Sequence, residues 1–341
     1  MSYFEKIIGN HALKERLTHD IRSNSLSHAY IIEGPRGSGR HTIALTAASA
    51  IACLNNGTSD TVPCGKCINC RKIAAGHSPD VKIISLEEDK STIGIEAIRE
   101  IKNDIYIAPN DLNVKVYIID DADKLTVQAQ NAFLLSLEEP PHYVLFFIIC
   151  ENSSLLLETV KSRAPILRTE RISDRELERY LLSQDKRAVE LRDQSADDFK
   201  TLIRISAGSI GYALELLDSR RRKAVFDCRR VATDIISILS SPNRSKVLET
   251  VVSMGSKRQE ISRQIVFLQY AIRDLILLKK SDEASLCFFE DRENAAELAT
   301  HFTSKQLIDL YDATVTALED LEHNTNVRLT LISMMQNANL I

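Results

Sequence analysis

The sequence predicts an α/β nucleotide-fold domain followed by all-helical modules, on three observations. Short runs rich in Ile, Val, Tyr and Phe alternate with helical patterns in the first half. A glycine-rich stretch, GPRGSGRHT from Gly34 to Thr42, follows the first core run and opens a helical pattern. Proline and glycine then thin out. Seven of the eight prolines fall at or before Pro165 and eight of the eleven glycines at or before Gly94, which assigns tight loops to the first half and long helices to the second.

The core runs are AYIIEG (Ala29 to Gly34), VKIISL (Val81 to Leu86), VKVYIID (Val114 to Asp120) and VLFFIIC (Val144 to Cys150). Such near-continuous apolar strands, alternating with helices, imply a parallel sheet covered on both faces. Between them Ile95, Ile98, Ile101 and Ile105 recur at helical spacing, and TVQAQNAFLLSLEE reads as another helix. These elements define a first domain over residues 1–170, with a cysteine-rich insertion at about 53–78.

After Pro165, Ser173 followed by Glu176 forms a capping box that starts a helix in SDRELERYLLS. A second helix in DDFKTLIRISAG ends at Gly208, and SIGYALELL begins a third, giving a three-helix module over 171–221. Longer amphipathic helices, including RQIVFLQYAIRDLILL and VRLTLISMMQ, fill a third module over 222–341. The basic run at Arg220 to Lys223 reads as a solvated linker.

Composition excludes several classes. At 341 residues and 44% apolar the chain can fill more than one core, while its longest apolar runs are strand length, far short of a membrane span. With no signal-peptide pattern at the N-terminus, a cytoplasmic location is expected. A net charge of −4 with both signs intermixed lacks the broad basic face of a stand-alone DNA binder, so any nucleic-acid role is shared with partners.

A phosphate loop, G-x-x-x-x-G-K-[ST], works because backbone N–H groups and a helix N-terminus surround the phosphates. Its lysine reaches the outer phosphates and its hydroxyl ligates Mg²⁺. Here Gly34, Gly37 and Gly39 are intact, but Arg40 stands for the lysine and His41 for the hydroxyl residue, with Thr42 one residue out of register. Arginine is bulkier and forked, and histidine has no hydroxyl, so the loop reads as inherited but disabled. A second nucleotide element is VYIIDDADKL, with Asp120 placed to hold Mg²⁺ and Asp121 where an ATPase often keeps the glutamate that orients water.

Cys53, Cys64, Cys67 and Cys70 give C-x10-C-x2-C-x2-C, four thiolates suited to one tetrahedral Zn²⁺. Four protein ligands close a site, so the metal is structural; the loop has too little apolar content to fold alone, and a metal would supply the missing stability. His77 is a weaker substitute ligand, and Cys150, Cys228 and Cys287 read as packing residues. A rival reading makes the same loop a nucleic-acid module through Lys66, Arg71 and Lys72.

The succession HAYIIEGPRGSGRHT, IGIEAIREIKNDIYIAP, KVYIIDDADKLTVQAQNAFLLSLEEPP, VLFFIICENSSLLLETVKSRA and AGSIGYALELL resembles the AAA+ subunits of bacterial clamp loaders, in order from about Ile8 to Leu217. NTNVRLTLISMMQ is similar to their last helix. The resemblance implies an AAA+ (RecA-like) domain with a zinc insertion, a helical lid, and a C-terminal helical collar through which five subunits associate. It implies as partners the ATP-hydrolysing motor subunits, a delta subunit, the sliding clamp and primed DNA.

Two positions bear on activity within that family. Motor subunits carry a phosphate-sensing arginine in the segment resembling GSIGYAL, where this chain has Gly211. Ser162-Arg163-Ala164 matches their S-R-C signature, which implies that Arg163, beside Ser162, reaches a neighbouring subunit's ATP as an arginine finger. The departures fit a ring member that hydrolyses no ATP itself, with the nucleotide loop empty. An active ATPase in which Arg40 replaces lysine is the alternative.

Overall fold

The computed structural model describes residues 2–338 apart from Gly57, Ser59, Glu88, Asp89, 241–256, Asp282, Glu283, Ser285 and Asn324. The expected core runs form β2 (Ala29–Glu33), β4 (Val81–Ile84), β5 (Lys115–Ile119) and β6 (Val144–Cys150), joined by a three-residue β7 (Ile166–Arg168). They pair in the order β4-β5-β6-β2-β7, and every pairing is parallel.

Alternate residues of each strand serve opposite cores, as a two-sided sheet requires. Tyr30, Ile32, Ile118, Leu145 and Phe147 pack with α1 (His11–Arg22) and α2 (Arg40–Ile51). Ala29, Ile31, Tyr117, Phe146 and Ile148 pack with α4 (Ile95–Asp104) and α5 (Val127–Glu138). Tyr30, Phe146 and Phe147 are fully buried, and Phe133 meets Phe146 edge-on at 5.1 Å.

The insertion carries β3 (Thr61–Val62) and α3 (Ile68–Ala74). β3 pairs with β1 (Ser2–Tyr3), and Tyr3 Oη donates to Asn56 Oδ1 at 2.7 Å. The adjoining Phe4 is 1% exposed in the same core as Val62, Cys53 and Cys70. The N-terminal strand is therefore built on the cysteine loop, a pairing with no sequence signal at two residues per strand.

After the short α6 (Glu158–Lys161) and β7 come α7 (Asp174–Gln184), α8 (Lys186–Gln194), α9 (Ala196–Ile205) and α10 (Ile210–Leu216). The predicted capping box is present: Ser173 Oγ accepts from Glu176 N–H, and Glu176 Oε2 accepts from Ser173 N–H. Residues 171–221 thus hold four helices among the described residues, where the sequence reading expects three. The addition is α8, KRAVELRDQ, whose buried residues are Ala188 and Leu191, too few to register as an apolar stripe.

The chain divides into two compact units, Met1–Leu181 with Gly208–Tyr212, and Leu182–Ala207 with Ala213–Ile341. This differs from a division at 171 and 222. In the second unit Glu290 accepts from Thr201 of α9 at 2.8 Å and lies 3.1 Å from Arg229 of α11 (Ser219–Leu239). That shared carboxylate ties α9 to α11, which the helices α12 (Arg258–Leu278), α13 (Arg292–Thr300), α14 (Ser304–Glu322) and α15 (Val327–Asn337) follow.

Candidate nucleotide site and candidate metal centre

All five strands run parallel, so their C-terminal ends share one edge of the sheet, the edge where open α/β sheets bind ligands. The glycine-rich loop leaves β2 there, Asp120 follows β5, and Glu151 follows β6. The loop keeps its shape because Gly37 (φ +78°) and Gly39 (φ +86°) occupy left-handed conformations closed to most side chains. Gly34 is equally fixed: a Cβ there would lie 1.8 Å from Thr169 Oγ1.

At the metal position the side chains engage each other, while at the lysine position Arg40 is buried and only loosely paired. Arg40 is 7% exposed; one Nη lies 3.7 Å from Glu151 Oε1, and the other is buried with no hydrogen-bond partner. Its guanidinium is held in the protein. His41, at the hydroxyl position, places Nδ1 2.5 Å from Asp120 Oδ2. The hydrogen bond to Asp120 pushes the imidazole pKa up, against an opposing effect of burial, and so favours imidazolium. An imidazole of this chain thus sits on the carboxylate that would hold Mg²⁺.

Thr42 is exposed on α2. Asp121 sits at φ +51° and caps a single 3₁₀ turn, Ala122–Lys124, its carbonyl accepting from Lys124 N–H. Gly211 lies against the loop itself, its N–H donating to Gly37 O at 3.0 Å. The structure therefore brings Gly34, Gly37, Gly39, Arg40, His41, Asp120 and Gly211 to one sheet edge.

Arg163 lies elsewhere. It follows α6 and precedes β7, which puts it at the N-terminal edge of the parallel sheet. Six residues separate the β2 level opposite Arg163 from the loop, on the order of 15–20 Å of strand. Arg163 cannot serve its own chain's loop from there. Its guanidinium is aimed by three acceptors: Glu138 Oε1 at 2.7 Å, Thr159 O at 2.8 Å and Ser162 Oγ at 3.4 Å. The Ser162 hydroxyl in turn donates to Thr159 O at 3.1 Å. Sequence reasoning found neither Glu138 nor Glu151, because each partner is distant in sequence and exposed glutamates carry no signal of their own.

Cys53, Cys64, Cys67 and Cys70 converge, their sulfurs all within 4.8 Å of one another. Zinc–sulfur bonds of about 2.3 Å at tetrahedral angles need sulfurs about 3.8 Å apart, so the set fits one Zn²⁺. The surroundings favour thiolate at the two outer positions. Cys64 Sγ accepts from Cys67 N–H and Asn55 Nδ2, both at 3.4 Å, and the Cys67 and Lys66 N–H groups draw its pKa down to about 6. Burial acts against ionisation of Cys67, but the Cys70 and Leu54 backbone bonds and the Cys70 thiol together outweigh it and the pKa falls. Burial raises those of Cys53 and Cys70. Such N–H···S bonds orient ligands around a metal. The four cysteines would hold Zn²⁺ as a closed structural site.

Residues 9–173 match the protein family described as DNA polymerase III, delta subunit. The chain is 25% identical over 343 aligned residues to DNA polymerase III subunit tau of Bacillus subtilis (strain 168), covering 96% of this chain and 59% of that protein. It is 32% identical over 169 residues to subunit delta' of the same organism, covering 50% of each. The chain thus spans between half and three fifths of these relatives. Among solved structures, a DNA polymerase III gamma subunit-related protein from Thermotoga maritima is similar at 18% identity and a TM-score of 0.45, with 94% of this chain and 98% of that chain covered. Tau and delta' subunits are both relatives, and the likeness to tau runs over more of the chain.

Proposed function

We propose that this chain is a DNA polymerase III clamp-loader subunit of the delta-prime type, a ring subunit that hydrolyses no ATP and supplies an arginine to its neighbour. The observation that carries the reading is the 2.5 Å bond between His41 and Asp120. ATP hydrolysis at this edge needs Mg²⁺ on that carboxylate, and the imidazole of His41 competes with the metal for it.

The positive role falls to Arg163. Its position at the edge opposite the loop, where Glu138 and Thr159 O hold it, supports a role towards a nucleotide bound by another chain. An arginine finger stabilises charge on the transferring phosphoryl group in trans. The chain would then act in the cytoplasm with motor subunits and a delta subunit, helping to open the sliding clamp and place it on primed DNA. The cysteine module would hold its zinc throughout without taking part in the chemistry.

In a reconstituted loader with motor subunits, clamp and primed DNA, Arg163→Ala should leave assembly intact. DNA-stimulated ATPase should fall by on the order of a thousandfold at the site it completes. Unchanged ATPase would remove the finger. A second reading, an active ATPase, draws on the similarity to subunit tau over 96% of the chain; it requires tight Mg²⁺-dependent ATP binding by the chain alone.

A further inference from the structure

Beyond lacking a sensor side chain, Gly211 makes a contact that only glycine permits. Its N–H donates to Gly37 O at 3.0 Å, Ser209 Oγ donates to Arg36 O at 3.2 Å, and Ser209 Oγ accepts from Tyr212 N–H at 3.2 Å. A Cβ on Gly37 would sit 2.3 Å from Ser209 Oγ and 3.0 Å from Tyr212 N. A Cβ on Gly211 would sit 2.9 Å from Gly37 Cα and 3.2 Å from Gly37 O. The two backbones touch, with no room for a side chain on either. Gly208, at φ +79°, is equally constrained, since a Cβ there would lie 2.4 Å from Ile172 O.

We infer that Gly208–Tyr212 is a latch on the glycine-rich loop, closed without nucleotide, with Gly37, Ser209 and Gly211 as its positioning residues. This rests on the reading of the loop as nucleotide-free. In a working phosphate loop the ligand's oxygens order the backbone through its N–H groups. In this chain two hydrogen bonds order Arg36 and Gly37 through their carbonyls instead. Glycine at 211 is then a requirement of the latch. Arginine there would push the segment off the loop before it could reach a phosphate.

Amide hydrogen exchange on the full chain tests this. Without nucleotide, the Gly211 amide, bonded to Gly37 O, and the Ser38 amide of the loop, bonded to Pro35 O, should be protected. Gly211→Ala should speed their exchange at least tenfold, and Ser209→Ala should do so by a smaller factor, while β5 and β6 amides stay unchanged. Unchanged exchange at the loop in both variants would overturn the latch. If Gly211→Ala loses protection throughout, the chain has unfolded and Ser209→Ala alone decides. Adding Mg²⁺-ATP to the unsubstituted chain should change nothing; a change would overturn the nucleotide-free reading, with the latch still judged on the variants.

Discussion

At the scale of single residues, His41 and Asp120 form a pair whose chemistry can be titrated. The carboxylate stabilises imidazolium, so the folded pKa of His41 lies above the ordinary value of about 6.5. A raised folded pKa contributes stability fully below the unfolded value, and that contribution disappears as pH rises through the folded one. The His41 ring signals in NMR should therefore titrate with a midpoint above about 6.5, and Asp120→Asn should bring the midpoint down. A wild-type midpoint at or below 6.5, or one indifferent to Asp120→Asn, would mean that the pair is not charged. The bond was half legible in the sequence. Both residues stand out as nucleotide-site positions, but that the one would bind the other depends on the β5 end and the α2 start meeting across 79 residues.

At the scale of elements, strands and helices of the sheet domain were legible wherever apolar residues ran long enough to show a period, as in VLFFIIC. β1, β3 and β7 escaped because two or three residues carry no period, and their places are set by tertiary pairing. The polar cluster at the start of β5 escaped as well. Lys115, 2% exposed, lies 2.9 Å from Asp104 Oδ2, which also accepts from Tyr117 Oη at 2.7 Å and meets Lys82 at 2.8 Å. Burial pushes the Asp104 pKa up, but these partners outweigh it and hold it at about 2. The stabilisation is present above the unfolded value near 4 and is lost as pH falls towards 2. At about 1.4 kcal/mol per unit this is about 2.5 kcal/mol. Denaturant unfolding at pH 7 should show Asp104→Asn less stable than wild type, with the gap narrowing between pH 4 and pH 2; a gap constant across that window would contradict the account.

At the scale of the whole molecule, the charged partners of ATP chemistry are divided between two sheet edges. One edge holds His41 bonded to Asp120, and the other holds Arg163 bonded to Glu138. The cysteine module supports the same domain, since Cys53 and Cys70 share a core with Phe4, Val62 and the α2 alanines. Elemental analysis should find one zinc per chain, and chelation should lower the melting temperature of the sheet domain; absent metal with four reactive thiols would overturn the site. In the proposed function this chain uses no ATP itself. Equilibrium binding of labelled ATP to the purified chain, with and without Mg²⁺, tests it most directly. The account predicts no Mg²⁺-dependent binding and no turnover, whereas tight Mg²⁺-dependent binding followed by hydrolysis would contradict it.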